Sequence, residues 1–210
     1  MARRHFGTDG VRGVAGDVLS ADLTLRLGRA ATLEAADAGA AAPRVLVIRD
    51  TRESGDMLEA ALAAGISSAG GEVLLGGVLP TPAAPMLIAQ YGLDLAVVIS
   101  ASHNPFRDNG IKFFGPDGFK LADAAEERIE ARLDETPTGV TPGRVRALHG
   151  TTEDYVRALQ SRFADLDLSG VKVVIDCANG STYQAAPEIF RRLGADLTVL
   201  ADAPDGRNIN

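Results

Sequence analysis

The sequence predicts an α/β protein in which helices cover both faces of a sheet. Short apolar runs typical of strands alternate with stretches of helical periodicity, which is the pattern of layered α/β domains. The run at 95–99 is continuously apolar, as expected for a strand that is buried on both faces. The composition, 46% hydrophobic and 23% charged, is that of a soluble globular protein. At roughly 100–150 residues per domain, 210 residues suffice for one and a half to two domains.

The first hundred residues show the alternation most clearly. Ser20 is placed to cap a helix that ends near Ala38, because Leu23 and Leu27 recur at helical spacing. The elements that follow are predicted as a strand at 45–48, a helix at 54–69, a strand at 72–78, a helix at 82–91 and a strand at 95–99.

The pattern changes after Ile99. Residues 111–114 and 119–121 flank a Gly-Pro-Asp-Gly segment, which is typical of a hairpin, and a charged helix is predicted from Asp123 to about Glu135. Residues 136–150 contain two prolines and three glycines without sustained periodicity, so we place a domain boundary there.

The boundary predicts a first domain at 1–150 and the beginning of a second at 151–210. The second segment reads as helix, strand, helix, strand, near 152–163, 171–175, 183–193 and 197–200. Because two strands with one crossover can hardly bury a core, we expect this second α/β domain to be incomplete.

Composition also bears on the class of partner. The net charge of −7 argues against nucleic acid, whose binding proteins are usually basic. No apolar run approaches the ~20 residues of a membrane span. The single cysteine, Cys177, excludes an intrachain disulfide and fits a cytoplasmic location, and we interpret it as a small buried residue in preference to a reactive thiol.

Two polar stretches are candidates for phosphate chemistry. In FGTDGVRG, at 6–13, glycines permit close approach of the backbone to an anion, and Arg12 adds a guanidinium that can grip phosphate. The alternative is a turn-rich loop in which Arg12 makes a surface ion pair. In DCANGS, at 176–181, a strand end runs toward a helix N-terminus, which favours anions but is equally explained as a capped βα turn.

The loop that follows the strand at 95–99 is the third candidate. It carries Ser102 and His103 at the carboxyl end of a buried strand, where open α/β sheets usually place their chemistry. The G-x-S-x-G elbow of hydrolases is absent, and His103 is poorly placed to activate its neighbour because adjacent side chains in extended backbone diverge. A serine that carries a phosphoryl group fits better, since that chemistry depends mainly on cations such as His103, Arg12 and Lys112. The alternatives are a structural turn for the serine and a solvated strand position for Lys112.

Taken together, these stretches resemble the α-D-phosphohexomutases, and within that family the bacterial phosphoglucosamine mutases. The matching segments are FGTDGVRG at 6–13, ISASHNPFRDNGIKFFGPDGFKL at 99–121, DCANGS at 176–181 and APDGRNIN at 203–210. The resemblance implies a three-layer α/β/α first domain with a mixed sheet, followed by the start of a second domain.

The resemblance also implies residue roles. Ser102 looks like the phosphoserine that donates and recovers a phosphoryl group and whose phosphate oxygen binds Mg²⁺. His103 and Lys112 look like the groups that assist proton transfer beside it, and Arg12 looks like an arginine that faces the phosphoserine. The implied reaction interconverts glucosamine 6-phosphate and glucosamine 1-phosphate, with glucosamine 1,6-bisphosphate or glucose 1,6-bisphosphate as activator, for UDP-N-acetylglucosamine and cell-wall synthesis.

Several expectations follow from what the 210 residues do not contain. The aspartate-rich metal loop of the family is missing, so we expect these residues alone to be inactive. The substrate is expected to be a hexosamine phosphate, with no nucleic acid or membrane partner, and a homodimer is possible. A phosphoglucomutase or phosphomannomutase, or a non-catalytic α/β binding module, stays open as an alternative.

Overall fold

The computed structural model describes residues 4–210, which form nine strands and six helices. The strands are β1 (Phe6–Gly7), β2 (Gly10–Val14), β3 (Arg44–Arg49), β4 (Glu72–Val78), β5 (Leu95–Ile99), β6 (Asp108–Phe114), β7 (Val145–Ala147), β8 (Lys172–Asp176) and β9 (Asp196–Leu200). The helices are α1 (Ala21–Asp37), α2 (Gly55–Ser68), α3 (Ala83–Tyr91), α4 (Asp123–Ala131), α5 (Thr151–Arg162) and α6 (Ala185–Arg192).

Seven of these strands form one mixed sheet in the order β1-β2-β6-β5-β3-β4-β7. Strand β3 pairs in parallel with β4 and β5, and the connections between these strands run through the helices α2 and α3. Strand β6 runs antiparallel to β5 on one side and to β2 on the other. The sheet is therefore parallel in its centre and antiparallel toward the β1 edge.

Helices cover both faces of this sheet. Side chains of α1, α2 and α4 pack on one face, among them Leu27, Leu62 and Ile129. Side chains of α3 and α5, among them Leu87 and Val156, belong to the hydrophobic cluster on the other face. Strand β5 is buried along its whole length between the two helical layers. The expected three-layer α/β/α fold with a mixed sheet is confirmed.

Local signals explain where several helices begin and end. The Ser20 side chain accepts a hydrogen bond from the Leu23 N–H at 3.2 Å, which confirms the predicted cap of α1. Helix α3 ends at Gly92, whose φ of 60° is the left-handed conformation that terminates helices. Helix α4 begins at Asp123 as predicted but ends at Ala131, one turn before the expected limit.

The predicted hairpin at 111–121 is only half correct. Residues 111–114 do form a strand, but it is the end of β6, and β5 and β2 are its partners. Residues 119–121 fold back only as far as one isolated bridge between Phe114 and Lys120, and Phe119 is 74% exposed. The central sheet supplies a longer, buried partner for β6, so a second hairpin strand is not needed.

Strands also form in two segments where the sequence predicted loops. The glycine-rich opening forms β1 and β2, and the supposed linker at 136–150 contains β7, which extends the sheet beside β4. Strands β1 and β7 are the two edges of the sheet, and β2 lies next to β1. In this part of a sheet, pairing with a neighbouring strand decides the conformation and local propensity matters little. The division of the chain at 1–150 and 151–210 stays a prediction.

The last part of the chain contains a separate two-stranded parallel sheet, β8 and β9, with α6 as the crossover. Helix α6 packs against α5, and α5 packs against α3, which covers one face of the seven-stranded sheet. The Tyr91 hydroxyl, near the end of α3, donates a hydrogen bond to the Asp154 carboxylate on α5. Among residues 4–210, none of the helices combines the length and the apolar character that a membrane span requires.

Candidate active site

A cleft of about 300 Å³ opens at the carboxyl ends of β3 and β5. One wall comes from the loop after β5, and the other comes from the loop after β8 together with the last two residues of the chain. We call it the serine cleft. Its lining residues are Asp50, Thr81, Ser100, Ser102, His103, Lys112, Cys177, Ala178, Gly180, Ser181, Thr182, Ile209 and Asn210.

Ser102 lies in the left-handed region of backbone conformation, with a φ of 57°. That conformation costs a residue with a side chain about 1–2 kcal/mol, so neighbouring contacts have to hold it. The Ser102 N–H donates to the Ser100 hydroxyl oxygen at 3.1 Å, and the Ser100 hydroxyl donates to Asp50 Oδ2 at 2.7 Å. The backbone of Ser102 is therefore tied to a carboxylate that directly follows β3.

Arg52 holds the same loop from beneath and is fully buried. Its Nε donates to Asp50 Oδ2 at 2.9 Å, and its Nη2 donates to the carbonyl oxygens of Ser102 and Asn104, both at 2.9 Å. Its Nη1 donates to the Pro105 carbonyl oxygen at 2.6 Å. The sequence reasoning missed both Asp50 and Arg52. Their position directly after β3, a strand whose end meets the end of β5, was the available signal.

His103 and Lys112 both line the serine cleft. His103 Nδ1 is 3.4 Å from the Ser102 hydroxyl oxygen, which is long for an O–H···N hydrogen bond. The two side chains are closer than extended backbone would allow, because Ser102 adopts a positive φ. Lys112 is only 9% exposed, so the alternative of a solvated strand lysine does not describe it.

Lys112 is joined to the opening loop through Asp9. Its Nζ is 2.8 Å from Asp9 Oδ2, and the Arg12 guanidinium binds the same oxygen. Burial alone would raise the pKa of Asp9, but the hydrogen bonds and charges of Lys112 and Arg12 lower it overall. Gly10 makes this approach possible, because a Cβ on it would lie 2.2 Å from the Ile111 carbonyl oxygen.

Arg12 does not line the serine cleft but shares the Asp9 carboxylate with Lys112, which does. Its ion pair with Asp9 matches the alternative interpretation, yet its Nε is buried without a hydrogen-bond partner among residues 4–210. The structure therefore brings Ser102, His103 and Lys112 together in one cleft and connects Arg12 to them through Asp9.

The far wall of the cleft is the DCANGS loop. Ala178 and Asn179 both have a φ of 49°, and α6 begins only at Ala185, so the loop makes a longer turn than the predicted strand-to-helix junction. Burial raises the pKa of the Cys177 thiol, and the charges of Asp202 and Asp176 raise it further. This favours the interpretation of Cys177 as a buried, unreactive side chain.

The segment 205–210 binds the residues around Glu53 and Asn104, beside the loop that carries Ser102. Glu53 donates its N–H to the Gly206 carbonyl oxygen at 3.0 Å, and the Arg207 guanidinium pairs with the Glu53 carboxylate at 2.7 Å. The Asn210 amide donates to the Asn104 carbonyl oxygen at 3.2 Å. Residues that lie more than 100 positions apart in the sequence thus meet beside Ser102.

The side chains present do not make a complete Mg²⁺ site. Within residues 4–210, no three or more His, Cys, Asp or Glu side chains gather in a way that could hold a metal ion. Asp50, the carboxylate that lines the cleft, is already bound by Arg52 and Ser100.

A family model described as "Phosphoglucomutase/phosphomannomutase, alpha/beta/alpha domain I" matches residues 3–139. The chain belongs to the phosphoglucomutase/phosphomannomutase family. This confirms the resemblance to the phosphohexomutases, and the matched segment contains all four predicted site residues.

Similar members of the family support a narrower comparison. The chain is 49% identical to a phosphoglucosamine mutase of Clostridium novyi, covering 99% of this chain and 47% of the relative. It is 53% identical to a phosphoglucosamine mutase of Moorella thermoacetica, covering 98% of this chain and 47% of the relative. A crystal structure of a phosphoglucomutase/phosphomannomutase family protein from Burkholderia thailandensis superposes with a TM-score of 0.84 at 30% identity, covering 98% of this chain and 45% of that one. The chain spans about half the length of these relatives.

Proposed function

We propose that this chain is the N-terminal part of a phosphoglucosamine mutase, an isomerase that interconverts glucosamine 6-phosphate and glucosamine 1-phosphate. Ser102 carries the phosphoryl group between the two positions of the sugar. The observation that carries the proposal is the conformation of Ser102. The residue is held at a positive φ, at the end of a fully buried strand, in a cleft that also contains Lys112 and His103.

This arrangement suits phosphoryl transfer because that reaction asks a protein mainly for positioning and for cations. In the first half-reaction the bond between the Ser102 oxygen and phosphorus breaks, and phosphorus bonds to the free hydroxyl oxygen of the sugar monophosphate. The proton of that hydroxyl passes to a base, and Ser102 is reprotonated. In the second half-reaction the other phosphate of the bisphosphate returns to Ser102.

His103 and Lys112 have distinct parts in this scheme. His103, exposed at the mouth of the cleft, exchanges the proton with the reacting hydroxyl groups. The Lys112 ammonium, held by Asp9, stabilises the negative charge that spreads over the phosphoryl oxygens. Arg12 adds a second cation on the same side, ordered by the same carboxylate.

The resemblance supplies the rest of the proposal. Mg²⁺ would bind a phosphoserine oxygen and an aspartate loop that is not among these 210 residues, and glucosamine 1,6-bisphosphate or glucose 1,6-bisphosphate would act as activator. The substrate is a hexosamine phosphate, and the product feeds cell-wall synthesis in the cytoplasm. A homodimer of the whole protein is compatible with these assignments.

The test is a comparison of substrates and variants of the full-length protein. Wild type and Ser102→Ala are assayed with glucosamine 6-phosphate, glucose 1-phosphate and mannose 1-phosphate in the presence of Mg²⁺ and glucose 1,6-bisphosphate. We expect the highest kcat/KM with glucosamine 6-phosphate and no turnover by Ser102→Ala. A preference for glucose or mannose phosphates would favour the other mutases, and Ser102→Ala activity within about tenfold of wild type would exclude the carrier role.

A further inference from the structure

We propose that Arg52 is a positioning residue for phosphoryl transfer, which holds Ser102 in its left-handed conformation and its hydroxyl in the serine cleft. The proposal rests on the proposed function, because it assigns Arg52 a part in the reaction of Ser102. It adds Arg52, with Asp50 and Ser100, to the groups on which the reaction depends, although Arg52 itself does not line the cleft.

The distribution of the Arg52 hydrogen bonds distinguishes it from an ordinary buried ion pair. A guanidinium that only neutralised a carboxylate would direct two parallel N–H groups at it. In this structure one guanidinium N–H binds Asp50, and three bind the carbonyl oxygens of Ser102, Asn104 and Pro105. Four of the five guanidinium donors are therefore used, and most of them hold the loop that carries the serine.

The three carbonyl contacts fix the loop on both sides of its turn. The Ser102 carbonyl follows the residue with a positive φ, and the carbonyls of Asn104 and Pro105 lie where the chain leaves toward β6. Lysine could not make the same three hydrogen bonds to the carbonyl oxygens, because its ammonium donors diverge from one point whereas the guanidinium donors form a planar fork.

A second path reaches Ser102 from the same buried pair. Asp50 accepts from Arg52 Nε and from the Arg52 N–H, and its Oδ2 also accepts the Ser100 hydroxyl hydrogen bond. The Ser100 oxygen in turn accepts from the Ser102 N–H. Both the N–H and the carbonyl of Ser102 are thus bound, directly or through Ser100, to one Asp50–Arg52 unit.

The test separates positioning from a purely structural role by measuring a rate constant per active molecule. The full-length protein is reacted in a single turnover with labelled glucose 1,6-bisphosphate, and both the rate constant and the final stoichiometry of label on Ser102 are recorded. Ser100→Ala removes one hydroxyl from the path, and Arg52→Lys keeps the charge beside Asp50. Arg157→Lys is the matched control, because the Arg157 side chain is 71% exposed on α5 and pairs only with Glu153 in the described part of the chain.

We expect the transfer to slow about tenfold in Ser100→Ala, as for the loss of one hydrogen bond. In Arg52→Lys we expect a loss on the order of a hundredfold, as for a reacting group that is misplaced. Final stoichiometry is expected to equal that of wild type in both variants, and Arg157→Lys is expected to match wild type in rate. A structural role would instead lower the stoichiometry and leave the rate constant of the remaining molecules unchanged.

The results distinguish failure of the positioning role of Arg52 from failure of the proposed function. Rate constants of both variants within about threefold of wild type would overturn the positioning role. If Arg52→Lys does not fold, Ser100→Ala decides alone, since it removes a single oxygen. If wild type itself takes up no label on Ser102, the proposed function fails and the positioning role fails with it.

Discussion

Replacing Lys112 by methionine tests the electrostatic part of the proposed reaction. Methionine keeps an unbranched side chain of similar length in a position that is only 9% exposed, so packing changes little. The substitution removes the ammonium that lies 2.8 Å from Asp9 and borders the cleft beside Ser102. A charge-assisted hydrogen bond to a transferring phosphoryl group is worth about 1.5–3 kcal/mol, which corresponds to a roughly 10- to 150-fold loss in kcat/KM.

The assay uses steady-state kinetics on the full-length protein, with Lys172→Met as the matched control because Lys172 is exposed on β8. Stability to urea is measured in parallel. We expect Lys112→Met to change the free energy of unfolding by less than about 1 kcal/mol, because its half-exposed partner Asp9 still binds Arg12. A kcat/KM within about threefold of wild type would show that Lys112 does not act on the phosphoryl group.

The same variant has a predictable effect on pH dependence. The folded-state pKa of Asp9 lies below its ordinary value of 3.8 because Lys112 and Arg12 outweigh the effect of burial. Asp9 therefore contributes stability above its ordinary pKa, and this contribution is lost as the pH falls through the lowered value. In Lys112→Met we expect the Asp9 pKa to rise, which an NMR titration of the carboxyl carbon would detect; an unchanged pKa would contradict the assigned ion pair.

Three further predictions concern other parts of the structure. Gly206→Ala is expected to destabilise the protein to urea by about 1 kcal/mol more than the control Gly139→Ala. Both glycines have a positive φ, but only at Gly206 would a Cβ lie 3.0 Å from the Cβ of Glu53, and equal effects would contradict the docking of the two segments. Cys177 is expected to react with iodoacetamide more slowly than free cysteine at pH 8, because burial and nearby carboxylates raise its pKa, and equal rates by mass spectrometry would refute this. Arg12→Lys is expected to lose about 2–3 kcal/mol of transition-state stabilisation, since lysine lacks the planar fork, and an unchanged kcat/KM would make Arg12 an ordinary surface residue.

The central strands and helices could be predicted from the sequence because burial on both faces leaves a clear apolar pattern. Helix α2 and strand β5 were predicted to within a residue at each end. Strands β1, β2 and β7 were not predicted, because they lie at or next to the edges of the sheet and consist of glycine-rich or exposed residues. Their conformation depends on which edge is free to pair, and a local pattern carries no information about that.

The site was predictable to the extent that its residues lie in one loop or one strand. Ser102, His103 and Lys112 share the stretch 97–114, and their motif indicated phosphate chemistry. Asp50 and Arg52 lie some fifty positions earlier and reach Ser102 only through the parallel pairing of β3 with β5. Asp9 was visible in its motif, but nothing in the sequence showed that one carboxylate would bind both Lys112 and Arg12.

The most direct measurement of the central claim is the site and fate of a phosphoryl label on the full-length protein. The protein is incubated with glucose 1,6-bisphosphate labelled in both phosphates, freed of excess sugar, and analysed by phosphopeptide mapping before and after a chase with unlabelled glucosamine 6-phosphate. We predict that Ser102 carries the label before the chase and that the label then leaves Ser102 and appears in sugar bisphosphate. Label on another residue, or label on Ser102 that the sugar phosphate does not remove, would contradict the assignment of Ser102 as the phosphoryl carrier.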